Sequence, residues 1–263
     1  MMMPPPPLHA LSDAPGLTAP RAAAPDGGAA VMLSILIPMF NEAGTIRALL
    51  QRILDTPFAM PYEIILVDDR STDDTLAVVR ALQAANTGAH IRVITNPMNE
   101  GKGASIRRGF TSARGEFVIV QDGDLEYDPR QIPQLLQPLL EGHQGAVYGS
   151  RFLTAQGRPE GMAWLNYLAN RLLTWLTNGL YRTRLTDMET CYKALRRCHL
   201  TQLELRSTRF EFEPEITAQL ARSGIPIIEI PIGYRGRTAQ EGKKIRLRDF
   251  FIAVWTLVRY RFR

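Results

Sequence analysis

The sequence predicts an α/β protein built on a mostly parallel sheet with helices on both faces. Two observations carry this. From residue 33 onward, short and nearly continuous apolar runs alternate with stretches of helical periodicity, as buried parallel strands joined by crossover helices do. Polar residues then gather where those runs end, at Asn41-Glu42, Asp68-Asp69, Asn96 and Asp122-Gly123-Asp124. Parallel sheets bind ligands beyond the carboxyl ends of their strands, so four polar strand ends mark one crevice.

Taken in order, residues 33–37 read as a strand ended by Pro38. Ile46, Leu49, Leu50, Ile53 and Leu54 then share one helical face. Residues 62–67 form the second strand. Ser71 followed by Asp74 resembles a capping box, opening a helix that carries Leu76, Val79 and Leu82. Residues 91–95 are the third strand, 104–113 the third helix and 116–121 the fourth strand, which runs directly into Asp122. Beyond Arg151 the pattern changes. A helix over 160–181 carries Trp164, Leu168, Leu172, Trp175 and Leu176, and another covers 211–222. A strand at 225–230 and a terminal helix at 248–261 complete the chain.

With 263 residues, 45% of them apolar and 22% charged, the chain has the composition of one large globular domain with appendages. Residues 1–30 are rich in Pro, Ala and Gly without apolar periodicity and read as a disordered arm. Residues 31–234 form the folded domain, and 235–263 a basic loop and amphipathic helix. The net charge of +5 is uneven: residues 234–263 hold nine Lys or Arg against Glu241 and Asp249, leaving −2 for the remainder. Cys191 and Cys198 make no disulfide framework and fit reduced thiols in a cytoplasmic chain. No run approaches the ~18 apolar residues of a membrane span.

The chemistry centres on Asp122-Gly123-Asp124. A divalent cation bridging two phosphates wants hard oxygens, and Mg²⁺ or Mn²⁺ takes one or two carboxylates beside phosphate and water. Two aspartates on the turn leaving a buried strand supply them, and Glu126 offers a third. At the second strand end, Asp69 can accept from a base or a ribose hydroxyl. Gly101-Lys102-Gly103 opens the third helix, where glycines permit close backbone approach and amides attract phosphate. It is no P-loop, and no G-x-G-x-x-G follows the first strand, so ATPase and dinucleotide readings fail. Acidic strand ends with no aromatic-basic platform also exclude nucleic acid as a partner.

The ordered motifs 37–42, 67–75, 99–103 and 122–126 resemble those of family 2 glycosyltransferases with the GT-A fold. Within that family they are similar to the dolichol-phosphate mannose synthase group and its bacterial polyprenyl-phosphate relatives. The resemblance spans residues 33 to about 262 and implies roles. Pro38, Phe40 and Glu42 would line the base and ribose pocket, with Asp69 on the base. Asp122 and Asp124 would serve diphosphate and metal, with Glu126 assisting. Arg151 would lie near the acceptor or donor phosphate. Arg171, beside Asn170, would bind near it, and Asp187 would face the reacting groups. Lys102 and the basic loop, with Arg237, Lys243 and Lys244, would add charge around the diphosphate. The loop's Arg-Thr and Glu-Gly-Lys-Lys-Ile elements depart from the mannose-synthase pattern, which leaves the sugar open.

The expected reaction moves a hexose, with inversion, from a UDP- or GDP-sugar to an acceptor. A polyprenyl phosphate needs guanidinium groups to hold it, and Arg151 and Arg171 suit it. A glycan hydroxyl needs a base, a task for Asp187 or Glu189. The terminal helix, apolar from Phe250 to Val258 and then basic at Arg259, Arg261 and Arg263, fits either an anionic bilayer surface or the protein core. The first would put the protein peripherally on the inner face of the plasma membrane, alone or with a membrane-protein partner. A sugar-1-phosphate nucleotidyltransferase shares the architecture but wants a Gly-rich loop after the first strand.

Overall fold

The computed structural model describes residues 31–154, 157–236 and 247–263. The arm over 1–30 and the basic-loop residues Arg237, Lys243 and Lys244 lie outside the described residues. The chain runs β1 (Leu33–Met39), α1 (Ile46–Leu54), β2 (Tyr62–Asp68), α2 (Thr75–Ala85), β3 (Ile91–Thr95), α3 (Lys102–Ser112) and β4 (Phe117–Val120). After a 3₁₀ turn at Pro129–Gln131 come α4 (Ile132–Leu140), β5 (Ala146–Ser150), α5 (Trp164–Tyr181) and β6 (Lys193–Arg196). The short α6 (Arg197–Leu200), α7 (Phe212–Arg222), β7 (Ile227–Pro231) and α8 (Leu247–Phe262) follow.

The strands lie in the order β3-β2-β1-β4-β6-β5-β7. Neighbours pair in parallel except β6, which is antiparallel to both β4 and β5. The expected mostly parallel sheet is therefore present, with one reversed strand inside it. All seven residues of β1 are buried, since helices cover both of its faces. A single core cluster joins Ile35, Ile37 and Ile64 of the sheet to Ile46, Leu49 and Ile53 of α1, and to Leu135 and Leu139 of α4.

Pro38 does not end β1. It stays in register with Val67 of β2, while pairing with β4 stops at Leu36. Leu36 and Pro38 face the same neighbour, so the missing N–H falls where the β4 ladder has already finished. Ser71 does not cap α2 either. The N-cap is Asp74, without a side-chain cap bond, and the Ser71 hydroxyl accepts from Asn41 N at 3.0 Å. Four of the helices and strands, α4, β5, β6 and the four-residue α6, lie outside those the periodicity picks out. Pro133 and Pro138 obscure α4, and β5 and β6 are short, with Lys193 and Arg196 in β6 reading as surface charge.

Because β6 is reversed, its amino end meets the carboxyl ends of β1, β4 and β5 at one rim. The turn after β4, the turn after β5 and the loop before β6 thereby reach the same crevice.

Candidate active site

The loops leaving β1 and β2 are tied together by short polar side chains. Asn41 and Arg70 both adopt left-handed conformations, at φ 55° and 63°. Thr72 N donates to the Asn41 amide oxygen at 2.8 Å, Glu42 N to the Thr75 hydroxyl at 2.8 Å and Ala43 N to Asp73 Oδ2 at 3.2 Å. The run 71–75 thus acts as a clamp on the loop that carries Phe40 and Glu42. Glu42 in turn accepts from the Thr45 hydroxyl at 3.0 Å, and that hydroxyl also sits 3.1 Å from the carbonyl of Gly123. Pro38 and Glu42 therefore abut Gly123: a Cβ built there would lie 3.2 Å from the Pro38 carbonyl and 3.4 Å from Glu42 Cγ.

Asp69 is buried, and its carboxylate accepts from Asn96 Nδ2 at 2.7 Å, Glu100 N at 2.9 Å and Gly101 N at 2.8 Å. It anchors the third strand-end loop, so any contact with a base comes from a carboxylate already fixed by the chain. The two glycines around Lys102 serve the packing of the chain as well. A Cβ on Gly103 would lie 2.8 Å from the carbonyls of Ser207 and Arg209, and one on Gly101 2.4 Å from that of Thr208. Ala104 N donates to Thr208 O at 3.0 Å.

Lys102 turns toward Asp122, with Nζ 2.7 Å from Oδ1 and 3.5 Å from Glu213 Oε1. Burial opposes its charge, but the Asp122 and Glu213 carboxylates win and hold the ammonium well above its ordinary pKa. Glu213 also meets the ammonium of Lys193, which bonds the carbonyls of Met188 and Thr190. The chain Asp122–Lys102–Glu213–Lys193 thus links the β4 turn to the loop before β6. Sequence reasoning missed Glu213 and Lys193, because a charged residue in a strand or helix ordinarily signals a solvated face.

The expected three-carboxylate metal set is not assembled. Asp122 belongs to Lys102. Asp124 Oδ1 accepts from Glu126 N at 3.0 Å, and Glu126 Oε2 accepts from the Tyr234 hydroxyl at 2.8 Å. Among the described residues no group of three or more His, Cys, Asp or Glu converges to hold an ion. The donor chemistry still fits a divalent cation completed by diphosphate oxygens, since Asp124 and Asp122 are hard ligands on one turn and such ions need only one or two protein carboxylates.

On the other side of the crevice Arg151 and Asp187 are both buried and form a fork. Arg151 Nε and Nη2 lie 2.7 and 2.8 Å from the two Asp187 oxygens, and Arg151 N donates to Asp187 at 3.0 Å. Burial works against the guanidinium charge, and Asp187 more than offsets it. Glu229 of β7 positions the pair from behind, accepting from Thr186 N at 2.7 Å and Asp187 N at 2.9 Å. Asp187 therefore holds Arg151, and the carboxylate left for a base is its neighbour Glu189. Glu189 Oε1 is sealed from water without a hydrogen-bond partner. Burial, then the nearby Glu213 charge, raise its pKa to about 7.

Arg171 is exposed on α5, its guanidinium 5.7 Å from the centre of the Phe152 ring, while Arg151 lies 5.4 Å from the same ring. Asn170 accepts from Arg151 Nη2 at 3.4 Å. The two halves of the crevice meet at Tyr234, a residue the motifs do not include. Its ring lies 5.2 Å under the Arg151 guanidinium, and its hydroxyl is the donor to Glu126. The signal that could have found it is its place between the last strand and the basic loop.

Comparison with known proteins shows the family and the fold. The sequence model for glycosyl transferase family 2 matches residues 34–202. An undecaprenyl-phosphate 4-deoxy-4-formamido-L-arabinose transferase of Aeromonas hydrophila is 28% identical over 214 residues, covering 81% of this chain and 62% of that protein. A dolichol-phosphate mannosyltransferase of Pyrococcus furiosus is 28% identical over 219 residues, covering 81% and 60%. The chain thus spans about three fifths of the length of the curated relatives it matches. The crystal structure of glucosyl-3-phosphoglycerate synthase from Mycobacterium tuberculosis with UDP superposes at a TM-score of 0.66 with 23% identity, covering 95% of this chain and 86% of that one. The same enzyme has been crystallised with Mn²⁺, UDP and phosphoglyceric acid. At that identity the likeness shows the shared fold.

Proposed function

The chain belongs to glycosyl transferase family 2, and we propose that it transfers a hexose from a UDP- or GDP-sugar to a polyprenyl phosphate. One observation carries the reading: Tyr234 joins the acidic turn at Asp124-Glu126 to a guanidinium fixed by Asp187. A donor diphosphate and an anionic acceptor would thereby be held on opposite sides of one residue. The relatives named for undecaprenyl- and dolichol-phosphate transfer favour the same acceptor class.

In this reading the loops of β1 and β2 seat the nucleoside, through Pro38, Phe40, Glu42 and the anchored Asp69. Asp124 and Asp122 would hold Mg²⁺ or Mn²⁺ with the diphosphate, and the ion supplies Lewis-acid stabilisation of the leaving group. Lys102 keeps Asp122 oriented. An acceptor phosphate is anionic near neutral pH and attacks the sugar C1 without a base, as the bond from C1 to the diphosphate oxygen breaks. Arg151 offers five N–H donors, of which Asp187 takes two, and Arg171 adds charge at the mouth. A lipid acceptor requires contact with a bilayer surface, on the inner face of the plasma membrane, made by the chain itself or through a membrane-protein partner. Glu189 favours a second reading, transfer to a glycan hydroxyl, because a carboxylate of pKa about 7 suits a general base.

The test is calorimetric titration with UDP and with GDP, each with and without Mn²⁺, on the natural sequence and on Asp124→Ala. Metal-dependent binding of one nucleotide, lost in the variant, is expected. Binding of neither nucleotide to folded protein would overturn the donor site. Transfer from the matching nucleotide sugar to undecaprenyl phosphate then tests the acceptor.

A further inference from the structure

The helix over Trp164–Tyr181 is apolar on the wrong side for a core. Its sequence stripe of Trp164, Leu168, Leu172 and Trp175 points outward, and Phe251 and Trp255 of α8 are likewise exposed. The chain has three tryptophans, and all three are on these helices with 59%, 71% and 64% exposure for Trp164, Trp175 and Trp255. Soluble proteins bury most of the surface of a tryptophan, and contiguous exposed apolar patches mark docking sites.

The two helices form one slab. Leu173 of α5 packs with Ala253 and Leu257 of α8, and the Tyr181 hydroxyl donates to Leu257 O at 2.6 Å. Charge on the slab is mostly of one sign. Arg171, Arg248, Arg259 and Arg261 stand against Asp249, which is largely shielded and lies 3.8 Å from Arg248.

We infer that the joined outer faces of α5 and α8 form a docking surface for an anionic lipid bilayer. Tryptophans suit the boundary between headgroups and acyl chains, and arginines on the same helices meet anionic headgroups. The charge argues against a second copy as the occupant. A two-fold interface would set these arginines against each other with almost no acid to answer them. The slab also leads to the site, because Arg171 sits within its apolar stripe and shares Phe152 with Arg151. A docked protein would present that pair to a phosphate at headgroup level. This last clause rests on the lipid-acceptor reading; the docking does not.

The tryptophans report on the question directly. Adding vesicles of phosphatidylglycerol and phosphatidylcholine to the full chain should shift Trp emission to the blue, and brominated acyl chains should quench it. Pure phosphatidylcholine should act weakly, and salt should reverse the binding. Trp175→Ser with Trp255→Ser should weaken co-sedimentation with vesicles by roughly tenfold or more. Arg259→Glu with Arg261→Glu, both at exposed positions, should remove the preference for anionic lipid. No emission shift and no co-sedimentation with anionic vesicles would overturn the inference. So would a lipid-free dimer, seen by sedimentation equilibrium, whose tryptophans are already blue-shifted. UDP titration without lipid is read separately, so a failed donor site and a failed docking surface are distinguishable.

Discussion

Arg151 and Glu189 divide the acceptor side of the crevice between a fixed cation and a carboxyl of raised pKa. Removing a partner from a buried fork leaves an uncompensated charge, which is why Asp187 and Glu229 stand behind Arg151 in sequence. Glu189 has no such partner for Oε1 and faces Glu213, Lys193, Arg151 and Asp187. Its pKa rises from 4.5 to about 7, so between those values the folded protein binds a proton that the unfolded chain releases. Stability then falls as pH climbs from about 4.5 to 7. Glu189→Gln should flatten the dependence of Tm on pH across that window, as read by thermal melts. The same variant separates the acceptors. Transfer to a phosphate should change less than about tenfold, whereas transfer to a hydroxyl should fall by roughly 10²–10⁴-fold.

Among the elements, α3 is held at its first turn by the backbone of 207–209, and glycine is required there because carbonyls occupy the space of a side chain. Gly103→Ala forces that backbone to move, since its Cβ would lie 2.8 Å from two carbonyl oxygens. A loss of about 1–3 kcal/mol is expected from such overpacking, measured by urea unfolding, with weaker nucleotide binding because Lys102 shifts from Asp122. An unchanged midpoint would mean that the 207–209 segment yields freely. The glycines were legible in the sequence, but not what approached them, since residues a hundred positions apart leave no local trace. The first four strands and their helices were legible because β1, β2 and β4 are nearly continuous buried apolar runs and β3 follows them at the edge in the same alternation. The later elements were less so. Lys193 and Arg196 hide β6, and only the folded chain shows that Glu213 neutralises Lys193 inside. The stripe on α5 was legible as a helix and silent about direction, because periodicity locates an apolar face without saying what covers it. The donor-side motifs were readable for the opposite reason: their polar side chains bond to adjacent strand ends, so spacing and contact coincide.

At the scale of the molecule, the reversed strand β6 divides the rim into two territories. The parallel ends of β1 to β4 carry Phe40, Glu42, Asp69 and Asp122-Gly123-Asp124, whereas β5, α5 and the loop before β6 carry Arg151, Arg171 and Asp187. The ion chain from Asp122 to Lys193 and the bridge at Tyr234 are the two routes between them. Ligands that occupy separate territories should leave separate footprints in amide hydrogen exchange, because binding suppresses local opening where contacts form. UDP or GDP with Mn²⁺ should slow exchange in residues 40–45, 69–75, 99–104 and 122–126. A short-chain polyprenyl phosphate should instead slow it in 150–153, 166–174 and 186–191. Glu126 and Tyr234, which bridge the two territories, should respond to either ligand. A nucleotide footprint centred on 186–191 would place the donor on the opposite side and reverse the roles given to Arg151 and Asp124. Slowing of both territories by nucleotide alone would instead make the ion chain a mechanical coupling, in which occupancy at Asp122 tightens the loop held by Lys193 before the acceptor arrives.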